Sequence, residues 1–384
     1  MMTLPTSAPA ALHQTLGFLL AGRIHADDIP TDQWATLSQI AVGQGLGPVL
    51  FDYVRNHQDR VHLPRQEFIR LFTAYGQVRS FNRRVYDAVQ EWAGCFAAHG
   101  ITAIWLKGVA LGATVYPDYA LRPMVDADIL APMEQIPAAL RLLEAETAVK
   151  PVMLGQTVAK NAMCRIGARR DVTLEVHWSL IDAPLSEMAP DSNWFLDQRT
   201  TVEYAGQPLH ILRPEANVLY LSTHAIFQHG EASASLLRFY DIHQVITQAP
   251  TFDWDLMVEK AAAFGWSYSV ERALLLAQAN FATPIPEGVV TRLQTQRAAD
   301  VLDWAHPDQQ RTKWDITQRR FSQMAWGDRV RLAFSLTFPP LAYMRYRYHL
   351  QNNWQALLHY PRRWWESANE LRESAARKPG SQGG

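Results

Sequence analysis

Over residues 10–100 apolar side chains recur at three- and four-residue steps, as in Trp34, Leu37, Ile40 and Ala41 and again from Phe68 through Phe96. That spacing predicts helices, punctuated by Gly, Pro and polar clusters. The glycines of Gly43-Gln44-Gly45-Leu46-Gly47 follow such a helical pattern, and Pro48 stands where the next helix opens. The stretch therefore predicts a turn between helices rather than a phosphate loop. The middle third changes period. Residues 101–106 are apolar and β-branched, and residues 125–130 and 171–178 alternate, which predicts three strands. Within 134–146, Ile136, Leu140 and Leu143 keep helical spacing, and 201–212 predicts a hairpin turning at Gly206-Gln207. Beyond Pro214 the helical pattern returns, with breaks at Gly230 and around Pro250 and Pro284.

These periods predict an α+β fold, mostly helical, in which a small mixed sheet domain over 101–213 is flanked by helical regions. The N-terminal region runs over 1–100. A second helical domain over 214–300 closes a cleft, a basic, aromatic helical region spans 301–376, and 377–384 is a flexible tail.

Composition narrows the classes. The 384 residues are 48% hydrophobic, enough for a substantial core. With 36 Lys and Arg against 37 Asp and Glu, no global field draws the chain to nucleic acid or anionic lipid. Two cysteines, Cys95 and Cys164, exclude a disulfide framework and a cysteine-rich metal site, and they suit a reducing compartment, so the expected location is the cytoplasm. No signal peptide is legible, and 330–344, the longest apolar candidate, carries Arg331 and Pro339-Pro340, which leaves no transmembrane segment to expect.

The chemistry concentrates in the middle third. In Val125-Asp126-Ala127-Asp128-Ile129-Leu130 a period of two sets both aspartates on one face of a strand and Val125, Ala127 and Ile129 on the other. Paired carboxylates repel unless a cation joins them, and hard oxygen ligands suit Mg²⁺. In the strand at 171–178 the polar positions are Asp171, Thr173, Glu175 and His177, so Glu175 either faces water or completes a site with Asp126 and Asp128. Three carboxylates can hold two metal ions, one acidifying an attacking hydroxyl and one bridging nucleotide phosphates. Upstream, Lys107 and Gly108 stand where a strand runs into a helix, whose free N–H groups suit phosphate oxygens. Arg122, four residues before Asp126, can pair with phosphate or brace the carboxylates.

In order, strand, Lys-Gly, helix, Arg-bearing loop, Asp-x-Asp strand and Glu-bearing strand resemble the polymerase-beta-like nucleotidyltransferase superfamily. Within it, Leu106-Lys107-Gly108, Tyr116-Pro117, Arg122-Pro123 and Asp126-Ala127-Asp128 are similar to a largely uncharacterised bacterial nucleotidyltransferase family whose members often accompany biosynthetic gene clusters. His224, His229, Arg238 and Asp241 match that family's recurring His, His, Arg-Leu and Asp pattern, and the likeness extends over 10–285. The resemblance implies Mg²⁺-dependent transfer of a nucleoside monophosphate from an NTP to an unidentified hydroxyl-type acceptor, with Asp126, Asp128 and Glu175 as catalytic and metal-holding residues. Lys107, Gly108 and Arg122 then bind the nucleotide, and His177, His224, Arg238 and Asp241 are substrate or supporting residues. Where the superfamily usually follows its first glycine with Gly or Ser this chain has Val109, and its 16 residues 110–125 exceed the usual spacing. Val109 keeps open a second reading, an inactive nucleotide-binding accessory of a biosynthetic complex.

Other constellations are weaker. His224 and His229 are five apart, about 140° around a helix, a poor spacing for a shared metal. Arg238 and Asp241, three apart, predict a structural ion pair. His177 either orients a carboxylate, contacts substrate or is a satisfied histidine. No Gly-x-Ser-x-Gly elbow and no Walker-type loop is present, which removes hydrolase and common ATPase readings. Residues 311–363 hold ten Lys and Arg against Asp315 and Asp328, with ten aromatics. Binding to nucleic acid there, as an RNA-modifying toxin-like enzyme would require, is possible from composition but less favoured than a packed, Arg-rimmed helix, and a peripheral membrane patch less still.

Overall fold

The structure, a computed structural model, describes residues 8–147, 161–166, 172–180, 192–228, 231, 234–297, 326–339, 341–348 and 350–376. The amphipathic N-terminal third forms α1 (Ala8–Leu20), α2 (Trp34–Gly43), α3 (Gly47–Asn56) and α4 (Arg65–Ala98). The glycine-rich stretch is the predicted turn between α2 and α3. Gly45 adopts φ +79°, which a side chain disfavours. Helix α4, 34 residues long, serves two cores. Its first half buries Leu71 and Tyr75 among the N-terminal helices. Its second half buries Val85, Val89, Trp92 and Phe96 against the sheet.

The sheet contains β1 (Ile104–Leu106), β2 (Ala127–Leu130), β3 (Asn161–Ile166), β4 (Val172–His177), β5 (Arg199–Tyr204) and β6 (Gln207–Leu212) in the order β3-β4-β2-β1-β6-β5. It is mixed: β1 runs antiparallel to β2 and parallel to β6, and β2 runs parallel to β4. Alternation assigns the faces. Trp105, Ala127, Ile129, Val172, Leu174 and Val176 enter one core, with Ala139 and Leu143 of α6 (Ile136–Thr147) and the end of α4. Ile104, Leu106, Leu130 and Leu212 enter the other, beneath the C-terminal helices. A fully buried side chain of this size contributes about 1.5–3 kcal/mol, so a one-residue slip in β2 or β4 would forfeit several such contributions at once.

On that second face lie α8 (Pro214–Thr223), α9 (Leu236–Gln248), α10 (Trp254–Ala263) and α11 (Ser267–Phe281). Helix α8 runs on into a π-helical turn, His224–Gln228. Farther on, the helices Leu341–Tyr348, Asn353–Leu358 and Tyr360–Ala376 gather about Met344 and Ala356 in a cluster of their own, and the helix Trp326–Thr337 ends where Trp364 Nε1 donates to the Thr337 carbonyl at 2.7 Å. The packed helix expected in 311–363 is realised only in part, because Trp326, Trp354, Leu358 and Trp365 are between 67% and 77% exposed. Residues 311–325 and the expected tail at 377–384 lie outside the described residues. Among those described, no helix is long and apolar enough to cross a membrane.

Three local expectations change. The first strand shortens to Ile104–Leu106. The strand expected from Val125 begins at Ala127, and Val125 itself is 79% exposed rather than facing the core. The neighbouring strand accounts for the delay, since β1 ends at Leu106 opposite Asp128 and the chain turns there into a helix, which leaves 125 and 126 without that partner. The hairpin turns at Ala205-Gly206, both at positive φ (+50° and +78°), one residue before the expected Gly206-Gln207. That pair of left-handed residues is what the twist of a two-residue hairpin demands.

Candidate functional site

The carboxylates meet through strand register. Parallel pairing sets Asp128 of β2 beside Glu175 of β4, and antiparallel pairing sets Leu106 of β1 on the other side of Asp128. Lys107, the first residue of α5 (Lys107–Thr114), turns back over this row, with Nζ donating to Asp128 Oδ1 at 2.8 Å. His177, two residues along from Glu175, places Nε2 2.8 Å from the same oxygen and 3.4 Å from Glu175 Oε2. Both partners only accept, so the imidazole proton sits on Nε2, and His177 orients the two carboxylates. Its Nδ1 is buried and has no hydrogen-bond partner among the described residues.

This packing separates the acids electrostatically. Burial pushes Asp128 upward, but Lys107 and His177 outweigh it and hold its carboxyl far below the usual range. Burial likewise acts against Glu175, and the His177 hydrogen bond overcomes it. Asp126 has no such partner. Burial first, and then the neighbouring Asp128 charge, raise it to about 7. Burial also works against the charge of Lys107, yet the Tyr220 phenol and the Asp128 carboxylate keep it firmly protonated. The Tyr220 phenol is itself buried, which raises it, and Lys107 beside it opposes that push.

A second polar knot ties the Arg122 loop to α9. Arg122 donates from Nη2 to Asp241 Oδ2 at 2.7 Å and from Nε to Oδ1 at 3.3 Å, while Tyr116 Oη donates to Oδ1 at 2.7 Å. Asp241 is 1% exposed. The expected Arg238–Asp241 pair is therefore not formed. A forked guanidinium and a phenol offer Asp241 three buried hydrogen bonds, more than a half-buried neighbour on its own helix can supply. Arg238 instead donates from Nη1 to His224 Nδ1 at 3.1 Å.

The loop is held from beneath by α4. Asn82 Nδ2 donates to the carbonyls of Tyr119 (2.6 Å) and Arg122 (2.9 Å), and Tyr86 Oη donates to Val109 O at 2.8 Å. A Cβ on Gly108 would lie 2.8 Å from both Arg122 Nη1 and Met124 Cβ, so this glycine is required by the closeness of the loop. Val109 is fully buried in the core, pointing away from the cleft.

All ten expected residues gather around one place. A cavity of about 510 Å³ is lined by Lys107, Gly108 and Arg122, by Asp126, Glu175 and His177, and by His224, Arg238 and Asp241, with Asp128 buried behind Lys107. The metal-capable group differs in one member from expectation. Among the described residues Asp128, Glu175 and His177 bring ligand atoms within 4.8 Å of one another, and Asp126 stands beside that group. Two carboxylates and an imidazole fit a divalent ion. Because His177 Nε2 carries its proton toward them, the carboxylate oxygens are the donors already presented, a hard set that suits Mg²⁺. His229 and Asp171 lie outside the described residues. Sequence reasoning missed Asn82 and Tyr220, and it named Tyr116 only within the Tyr116-Pro117 motif, without its hydrogen bond to Asp241. A lone Asn inside the long amphipathic α4 was the available signal for Asn82, and Tyr220 had none.

A mixed sheet with clustered acids under a Lys-Gly corner, closed by helices, defines a nucleotidyltransferase-like class. The chain belongs to the uncharacterised nucleotidyltransferase family, whose model matches residues 30–282. Among solved structures it is similar to an antigenic nucleotidyltransferase-like protein from Paracoccidioides brasiliensis, at 15% identity and a TM-score of 0.36, over 57% of this chain and 94% of that one. No curated protein matches it.

Proposed function

We propose that the chain moves a nucleoside monophosphate from an NTP to a hydroxyl-type acceptor and releases pyrophosphate. The observation that carries this reading is the convergence of Asp126, Asp128 and Glu175 beside Lys107 and Gly108 in one cavity. Mg²⁺, as one ion or two held by these three carboxylates, would acidify the acceptor hydroxyl and neutralise developing phosphate charge. The acceptor oxygen attacks the α-phosphorus, the bond to the bridging oxygen breaks, and the electron pair leaves with pyrophosphate. Glu175 receives the hydroxyl proton on its carboxylate, while His177 fixes the angle of Asp128 and Glu175. Lys107 exchanges its Asp128 contact for a phosphate oxygen, and Arg122, anchored by Asp241, keeps the phosphates in line.

In this reading the catalytic unit is 101–213, placed within the polymerase-beta-like superfamily, and 214–300 closes the cleft over it. The two cysteines favour a cytoplasmic setting. The test is pyrophosphate release with NTP and Mg²⁺ across small-molecule, peptide and protein hydroxyl acceptors, compared with Asp126→Ala. Turnover lost in the variant supports the enzyme. A second reading, a nucleotide-binding accessory, is favoured by one observation: Lys107 is already neutralised by Asp128 within the chain. Nucleotide binding without turnover across all acceptors would select it.

A further inference from the structure

We propose that Arg238, held in place by His224, forms a subsite for a phosphate-type anion on the helical wall of the cleft. The inference deepens the nucleotidyltransfer reading by giving the cleft a second anion contact, away from the Lys107-Gly108 corner. It starts from the position of Arg238. This residue is the third of α9, at the positive end of the helix dipole, where a cation is disfavoured. It is half-buried, and among the described residues no carboxylate pairs with it. Asp241, the acid on its own helix, is taken by Arg122 and Tyr116. Burial and the nearby Arg122 guanidinium work against its charge and outweigh the support of Asp241 and Tyr220, so its pKa is lowered from the ordinary value. Two guanidiniums that repel each other inside a cleft, one of them in contact with no carboxylate among the described residues, are stabilised together by a bound anion.

His224 completes the arrangement. Arginine only donates, so the Arg238 Nη1 contact makes His224 Nδ1 the acceptor and places the imidazole proton on Nε2. The ring packs against Tyr220 at 5.7 Å between centroids and steadies the Arg238 guanidinium at the cavity wall. It opens the π-helical turn His224–Gln228, a rare local geometry that occurs often at functional sites. Ser235, just ahead of α9, lines the same cavity, and its hydroxyl does not cap the helix. The Arg238 guanidinium, angled by His224, and the Ser235 hydroxyl are donors whose bonds a tetrahedral oxyanion accepts. Two sources carry that chemistry: the outer phosphates of the nucleotide, or an anionic group on the acceptor.

Calorimetric titration of the full chain with inorganic pyrophosphate in EDTA tests the subsite without turnover. The wild type should bind saturably, Arg238→Gln at least tenfold more weakly, and Arg238→Lys in between, with thermal midpoints unchanged. His224→Ala, expected to weaken binding severalfold, stands in if Arg238→Gln fails to fold. Equal affinity in wild type and the folded variants, or no saturable binding by the wild type, overturns the proposal. Titrations with ATP and AMP separate the sources. If the ATP-to-AMP affinity ratio collapses in Arg238→Gln, the subsite holds the nucleotide tail. If both nucleotides bind unchanged while pyrophosphate weakens, it holds an anion of the acceptor. Arg238-dependent pyrophosphate binding in a chain that never turns over sinks the enzyme reading alone, and turnover with Arg238-independent binding sinks the subsite alone.

Discussion

Lys107–Asp128 and Arg122–Asp241 are both buried ion pairs at the rim of one cleft, yet they are built to opposite specifications. Arg122 reaches both oxygens of Asp241, Tyr116 adds a third hydrogen bond, and the set is closed. Lys107 reaches Asp128 through a single contact, to an oxygen it shares with His177, beside two further carboxylates. A closed pair resists change because every exchange leaves a buried charge unmatched. An open pair surrounded by surplus negative charge has other arrangements of similar energy as soon as cations and phosphates arrive. The comparison teaches a division of labour in which the Arg122 knot fixes the cleft and the Lys107 pair is free to reorganise inside it.

Substitutions can break that contrast. The largest effect is expected for Asp128→Asn, which should lower the rate of pyrophosphate release at least about 10³-fold, the several kcal/mol that charge stabilisation at a metal-assisted site supplies. Its thermal midpoint should move far less than that of Asp241→Ala, which strands the Arg122 guanidinium. Removing one member of a buried pair costs about 3–5 kcal/mol, and denaturant titration should return a loss of that size. Were Asp128→Asn the more destabilising of the two, the assignment of fixed and exchangeable pairs would be reversed.

Asn82→Ala sharpens the comparison from below. It withdraws a donor from the carbonyls of Tyr119 and Arg122, at about 1–3 kcal/mol for groups left unsatisfied, and should raise KM for NTP more than it lowers kcat. The smallest effect is a pH dependence. Asp126 titrates near 7 in the folded chain, well above its ordinary 3.8, so the folded state holds the extra proton between those values. Stability without metal should therefore fall as pH rises through this window. Asp126→Asn removes the dependence, so its thermal midpoint should gain on the wild type from pH 4 to pH 8 and level off beyond. A constant difference across that range would place Asp126 in a more solvated setting.

Much of this was legible in the chain because hydrophobic period reports burial directly. The uniform Val172, Leu174, Val176 row set Glu175 and His177 on the polar face, and there they lie. Strand β3 escaped notice, since Asn161–Ile166 carries no clean alternation and is stabilised by pairing with β4. Val125 misled because alternation says nothing about where pairing begins, and the end of β1 at Leu106 limits that. The partner of Asp241 was illegible for a different reason: spacing along a helix ranks local neighbours, whereas Arg122, 119 residues away, wins through geometry that only the folded chain creates. Sequence also marked Val109 as a departure at the phosphate corner, without revealing that its side chain belongs to the core.

Lys107 holds a φ of +45° at the head of α5. Left-handed backbone costs a residue with a side chain about 1–2 kcal/mol, and glycine or asparagine would relieve it. The backbone alone gives no reason for a lysine at this corner, and the fold bears that cost for the sake of the side chain, whose ammonium it brings down onto Asp128.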